Sequence, residues 1–246
     1  MAKYTTLKSL FVAIADAIRG KDGSTSEIAA DSFPDRISAI QTEDHTMEDA
    51  IIDGTIVSYD NDRIKKIAPY KFYGTIYLTE VNIPAVKEIG VSAFADCMKL
   101  QRVMAPETTI IDIAAFAGCA ALEEITCTNA TNIAARAFIG CAKLKSIDIL
   151  GIADGIQATI WGNVFLGCDS LTAVIIRNTG GVIIIDDDAF AGSAIAGGTC
   201  YIYVPRALVD SYKTAKNWSA YASQIRALED YTVDGTATGD LDDRKI

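Results

Sequence analysis

Ala115-Phe116-Ala117-Gly118-Cys119-Ala120-Ala121-Leu122-Glu123-Glu124-Ile125 is the stretch that decides the fold, because its apolar residues return along the chain in a fixed order. The anchor is phenylalanine. Phe72, Phe94, Phe116, Phe138, Phe165 and Phe190 each follow an isoleucine by five residues: Ile67, Ile89, Ile111, Ile133, Ile160 and Ile185. Successive Phe residues are 22, 22, 22, 27 and 25 positions apart. Six residues after Phe come Leu78, Leu100, Leu122, Leu144 and Leu171, and nine after come Val81, Val103, Ile125, Ile147 and Val174. Position eleven holds Ile83, Ala105, Cys127, Ile149 and Ile176. A period of this length marks stacked units that cannot bury their apolar faces alone.

Within one unit the apolar residues at 0, +3 and +6 predict a short helix, and the alternation at +9 and +11 predicts a brief strand with one face inward. The expected fold is an α/β repeat solenoid over residues 65–205, each coil a short helix, a strand and a return segment. The last unit departs from the pattern, with Ser193 in the Cys column and Ala196 in the Leu column.

The phrase Ala115 to Ile125, echoed by Ala93 to Val103, Ala137 to Ile147 and Val164 to Val174, resembles the BspA-type leucine-rich repeat. Such repeats occur in bacterial surface adhesins and in phage structural proteins, so the resemblance implies a binding or structural scaffold rather than one function. A second resemblance lies at the N-terminus. There Ile14-Ala15-Asp16-Ala17-Ile18-Arg19-Gly20-Lys21-Asp22-Gly23-Ser24-Thr25, followed by Ile28 to Phe33 and Ile37 to Ile40, is similar to the opening segment of phage tail-fibre, baseplate and related virion proteins. That implies an attachment or assembly segment at residues 1–41, docking to other virion proteins. From the residues alone, Leu7, Leu10, Phe11, Ile14 and Ile18 predict a helix ending at Gly20, and a helical hairpin capping the solenoid is the other reading.

Residues 42–64 read as a linker and entry to the repeats. After the strand Tyr201 to Pro205, residues 206–231 read as a helical cap. Leu208, Val209, Tyr212 and Ala215 lie on one face, and Trp218, Tyr221, Ile225 and Leu228 on a second helical pattern, the aromatics plugging the core. Residues 232–246 read as an acidic flexible tail.

Composition bounds the function. Half the 246 residues are hydrophobic, and a formal charge of −10 argues against a nucleic-acid partner, which needs clustered Lys and Arg. The most basic stretch, Arg63-Ile64-Lys65-Lys66, reads as a solvated turn. No run reaches the roughly 18 apolar residues of a membrane span, so membrane insertion is not expected. Leu10 to Ala15 is broken by Asp16 and followed by Arg19, which does not read as a secretory signal.

Candidate chemistry is sparse. Cys97, Cys119, Cys141 and Cys168 share one repeat position, three after Phe, and predict a buried ladder of small apolar side chains. Disulfides between adjacent rungs are the alternative, and metal binding lacks paired Cys-x2-Cys spacing. Cys127 and Cys200 read as core. The one histidine, His45, lies in a polar linker with no nucleophile beside it. Asp186-Asp187-Asp188 lacks the spaced oxygen ligands of a calcium loop and reads as a surface turn. No catalytic residue, cofactor or metal is expected. Trp161 and Asn163 fall outside the ladders, near the fifth-unit insertion Leu150 to Asp154, and are the candidate ligand contacts. An aromatic there could stack on a sugar ring, or pack on the next coil or a subunit.

The readings are ordered accordingly. The first is a phage virion structural protein, a tail fibre, baseplate or head-decorating arm. By resemblance it would be a homo-oligomer, trimer favoured, assembled in the host cytoplasm and able to meet a host-surface glycan or protein. The second is a BspA-like bacterial surface adhesin. The third is an enzyme or intracellular scaffold, which turnover dependent on His45 would support.

Overall fold

The computed structural model describes residues 57–149 and 159–230, together with the backbone of two short strands at 232–233 and 236–237. The chain divides into two units, residues 1–50 and 51–246, and every described residue belongs to the second. The predicted N-terminal helix, His45 and the insertion Leu150 to Asp154 lie outside the described residues.

Each coil contributes two strands rather than one. In chain order they are β1 (Ser58–Asp60) and β2 (Lys66–Ile67), β3 (Glu80–Asn82) and β4 (Glu88–Ile89), then β5 (Arg102–Met104) and β6 (Ile110–Ile111). There follow β7 (Glu124–Thr126) and β8 (Asn132–Ile133), β9 (Ser146–Ile149) and β10 (Thr159–Ile160), and β11 (Ala173–Ile176) and β12 (Ile184–Ile185). The stack closes with β13 (Tyr201–Val204) and β14 (Ile225–Ala227). The even-numbered strands β2 to β12 form one parallel six-stranded sheet in which Ile67, Ile89, Ile111, Ile133, Ile160 and Ile185 pair in register. The longer strands form two parallel sheets, β1-β3-β5-β7 and β9-β11-β13-β14. β7 and β9 lie against each other without pairing.

The predicted helix in each coil is instead a run of turns. The physical cause is a left-handed residue two after each Phe, paired with another two before the first five. Tyr70, Ser92, Ala114, Arg136 and Asn163 sit at φ of 58°, 50°, 54°, 61° and 55°. On the other side Gly74, Asp96, Gly118, Gly140, Gly167 and Gly192 sit between 59° and 76°. A left-handed residue cannot continue a right-handed helix. It turns alternate amides along the stack instead. The Phe94 N–H donates to the Ala115 carbonyl at 2.8 Å, Gly118 to Ile139 at 2.8 Å and Gly140 to Leu166 at 2.7 Å, while the amides between them close three-residue turns within the coil. The 0, +3, +6 pattern belongs to those turns, whose three-residue spacing resembles a short helix.

The six phenylalanines form one continuous stack. Ring centroids are 5.1, 5.3, 5.4, 5.8 and 5.9 Å apart from Phe72 to Phe190, and the middle three pairs are within 3° of parallel. These distances suit offset stacking and follow the 4.7–4.9 Å spacing of hydrogen-bonded strands. The Leu, Ile/Val and position-eleven columns are buried throughout. The four-thiol column is buried too, and each Sγ–H donates one coil back to a Phe carbonyl: Cys97 to Phe72, Cys119 to Phe94, Cys141 to Phe116 and Cys168 to Phe138, at 3.0–3.2 Å.

The last unit does not follow the ladder. Ser193 Oγ donates within its own coil to the Phe190 carbonyl at 2.6 Å, Ala196 is exposed, and buried Ile195 takes the apolar role. Three extra residues then bring Ile202, rather than the residue nine after Phe, into register with Val174.

The cap over 206–231 is less helical than predicted. Among the described residues it holds one six-residue helix, α1 (Val209–Thr214), and 3₁₀ turns at Arg206–Leu208, Ser219–Tyr221 and Leu228–Asp230. Ile225, expected on a helix, lies in β14 because the free edge of β13 accepts it, Ile202 pairing with Ile225. The aromatic plug does form. Trp218 and Tyr212 are fully buried, with Trp218 5.7 Å and Tyr221 5.2 Å from Phe190, both edge-on. Side chains also satisfy the edge of β12 and its approach. Trp218 Nε1 donates to the Ile183 carbonyl at 2.8 Å, Asn217 Nδ2 to Ile185 at 2.7 Å, and the Ile183 N–H donates to Tyr212 Oη at 3.2 Å. Within the acidic tail, β15 (Thr232–Val233) pairs antiparallel with β16 (Thr236–Ala237).

A Cβ built at Gly140 meets nothing closer than 3.7 Å, so its φ of 74° is the whole obstacle to a side chain. Gly140→Ala is expected to cost about 1–2 kcal/mol. A lower urea midpoint at unchanged slope would show it; an unshifted midpoint would mean the turn does not need the left-handed residue.

Candidate functional site

The two residues singled out from sequence occupy one turn. β10 ends at Ile160, and Trp161-Gly162-Asn163 follows, leading to Phe165 in the core. In a coil, residues at this place lie outside the buried columns, so nothing in the packing dictates them. Trp161 is 45% exposed, whereas Trp218, the second tryptophan, is fully buried. The indole is nonetheless fixed: Nε1–H donates to Asn132 Oδ1 on the preceding coil at 3.1 Å. Asn163 takes its left-handed turn and donates Nδ2–H to Asp188 Oδ2 at 2.5 Å, and its backbone N–H donates to the Asp188 carbonyl at 3.1 Å. Gly162 leaves room for the Asp188 carboxylate, since a Cβ there would lie 2.5 Å from Oδ1 and would push that side chain aside. Trp161 and Asn163 are thus tied to neighbouring coils on opposite sides. Asp188 is the one member of the Asp186-Asp187-Asp188 run that joins them. The run opens the turn after β12, and among the described residues no cluster of His, Cys, Asp and Glu could hold a metal ion.

Two exposed features escaped the sequence reading. Around the first Phe, Tyr70, Tyr73, Ile76, Tyr77 and Met98 are all exposed. Tyr70 and Tyr73 rings lie 6.2 Å apart, and Lys99 Nζ stands 5.5 Å from the Tyr77 ring centre. A hydrogen bond to the Asp96 carboxylate raises the Tyr73 hydroxyl above its ordinary pKa. The available signal was Tyr73 at Phe+1, where the next two coils carry Ala95 and Ala117. The second feature is a charged groove of about 300 Å³ beside the unpaired β7/β9 boundary, lined by Gln101, Arg102, Glu123, Glu124, Lys145 and Ser146. Arg102 bridges Glu80 at 3.1 Å and Glu124 at 3.2 Å, and Lys145 meets Glu123 at 2.6 Å, which lowers the Glu123 pKa. These exposed pairs are worth little each, and their charges are mutually satisfied.

The thiols are poor nucleophiles. All six are free and buried. Burial pushes Cys127, Cys168 and Cys200 up to about 12, and Cys119 and Cys141 also rise well above the usual thiol range. None presents the electropositive, solvent-reached setting of a reactive cysteine. Among the described residues no helix is long and apolar enough to cross a membrane.

Comparison with known proteins agrees with this architecture. Residues 56–160 match the BspA type leucine rich repeat region, in six copies. The crystal structure of the pneumococcal vaccine antigen PcpA aligns at TM-score 0.54 and 26% identity, over 70% of this chain and 40% of that one. A leucine rich cell surface protein from Faecalibacterium prausnitzii aligns at TM-score 0.43 and 24% identity, over 67% of this chain and 43% of that one. A leucine rich repeat protein from T. pallidum aligns at TM-score 0.40 and 22% identity, over 52% and 70%. This chain thus spans about two fifths of the PcpA chain it matches. No curated protein sequence matches.

The raised thiols make stability fall in alkali. Unfolded thiols ionise near pH 8.5 while the folded ones hold their protons, so their contribution is complete below that pH and is lost as pH rises towards about 12. Each such thiol is expected to steepen the loss by up to ~1.4 kcal/mol per pH unit. Urea unfolding of Cys127→Ala against the parent from pH 8 to 11 would show a flatter slope in the variant. Equal slopes would contradict the raised thiol.

Proposed function

Starting from a BspA-type leucine-rich repeat region at residues 56–160, we propose that this chain is a binding scaffold of a bacterial surface protein, its coils holding recognition residues on their turns. One observation carries the reading. The Phe, Cys, Leu and Ile/Val columns are consumed by packing, whereas the turn positions beside them differ from coil to coil: Ser92, Ala114, Arg136 and Asn163 occupy one such place. Side chains free of the packing rule are where recognition can be written. The chemistry of the described turns is that of contact, with aromatic rings, amides and paired charges, and the buried thiols offer no nucleophile. Similarity to a pneumococcal vaccine antigen supports a surface location.

A second reading is favoured by Ile14 to Ile40, which resembles the opening segment of phage tail-fibre and baseplate proteins. In that reading residues 1–41 dock to a virion, the repeats serve as a rigid arm or spacer, and the assembly is a homo-oligomer, trimer favoured, that meets a host-surface glycan or protein. Both readings are non-enzymatic.

Quantitative mass spectrometry of washed cell envelopes and of density-purified phage particles from the source culture separates them. Enrichment in envelopes with none in particles is the expected result. Enrichment in particles at a fixed stoichiometry would overturn the surface reading in favour of the virion one.

A further inference from the structure

We propose that the turn Trp161-Gly162-Asn163, with Asp188 beside it, is a binding platform for a neutral saccharide. This names a ligand class for the recognition role above and holds whether the scaffold sits on a cell or on a particle. A pyranose offers one face of C–H groups and a rim of hydroxyls. Trp161 supplies the complement to the first: a half-exposed indole whose orientation is locked by its bond to Asn132 Oδ1. Locking matters because a ring already fixed loses little freedom when a ligand arrives. The positions equivalent to Trp161 on the adjoining coils are Ala134 and Asp186, both too short to cover an indole. On the following coil Ile184, in register with Thr159, is also exposed.

The rim is met by Asp188. One carboxylate oxygen accepts from the Asn163 amide, and the other lies over Gly162, which holds the group across the turn with acceptor capacity left over. Exposed Arg136 joins from the preceding coil, where its backbone N–H donates to the Gly162 carbonyl at 3.1 Å. An edge that holds an amide beside a carboxylate with acceptor capacity to spare suits hydroxyls, which donate and accept. The aromatic face, the amide–carboxylate pair and the missing side chain at Gly162 come together on this coil alone among those described.

The two tryptophans make the test direct. Trp218 is fully buried, so a change in emission on adding sugar reports Trp161. The full chain is titrated with glucose, galactose, mannose and N-acetylglucosamine up to about 100 mM, a range that captures affinities as weak as millimolar. A saturable change with at least one sugar is expected. Trp161→Ala should weaken binding of that sugar, read by calorimetry, by at least about tenfold, and Asp188→Asn by about threefold to tenfold, with circular dichroism unchanged. Trp161→Phe should retain part of the affinity. Absence of any sugar response overturns the proposal. So does binding that survives Trp161→Ala, a response to lysine amide but to no sugar, or a dimer in sedimentation that shields Trp161 from acrylamide quenching. Envelope or particle enrichment would stand in each of those cases, so the location reading fails or survives separately.

Discussion

The spacing of one phenylalanine ring on the next is the constraint from which the rest of the solenoid follows. A parallel ladder sets the rise between coils at about 4.8 Å, and a column of identical flat rings can follow that rise only if each is offset on its neighbour in the same orientation. The observed centroid distances of 5.1 to 5.9 Å and near-parallel planes meet that condition along the whole column. Holding a ring in this place requires the backbone to turn sharply around it, which the left-handed residue two after each Phe does, joined by a second two before the first five. The same turn leaves the Phe carbonyl inside the core with room for a second donor, which the cysteine of the next coil provides. A thiol is small enough for the column and still carries a weak donor.

A stack of equal rings needs ends that are unlike the middle. At the N-terminal side Tyr59 meets Phe72 at 4.8 Å and 56°, tilted rather than parallel. At the C-terminal side Trp218 and Tyr221 turn their edges to Phe190, and the edge of β12 and its approach are met by the Trp218, Asn217 and Tyr212 side chains rather than by another strand. The longer sheet ends differently, by adding β14. One edge is therefore closed by side chains and its neighbour by a strand, which covers edges that would otherwise invite pairing.

Much of this was legible as columns. Phe, Leu, Cys and Ile positions are fixed by burial, and burial repeats, so their spacing predicted the parallel stack, the thiol ladder and the aromatic plug. What was not legible depended on backbone angle or on distant partners. The 0, +3, +6 pattern fits a helix and a chain of three-residue turns equally, and only the left-handed residues decide. Gly118 and Gly140 hint at them, but Ala114 and Arg136 carry no such signal. β14 was read as helix because Trp218, Tyr221, Ile225 and Leu228 have helical spacing; the free edge of β13 overrode it. For the candidate site, sequence showed that Trp161 and Asn163 lie off the ladders. It could not show that Asn132 and Asp188, 29 and 25 residues away, hold them.

The most direct test of the stack as organising constraint is equilibrium urea unfolding of Phe116→Ala set against Ile110→Ala, an exposed position of the same coil. Removing the buried ring should cost about 3–5 kcal/mol, and removing the exposed isoleucine well under about 1 kcal/mol. Similar losses for the two variants would contradict the account and move the burden of the fold from the aromatic column to the strand ladders.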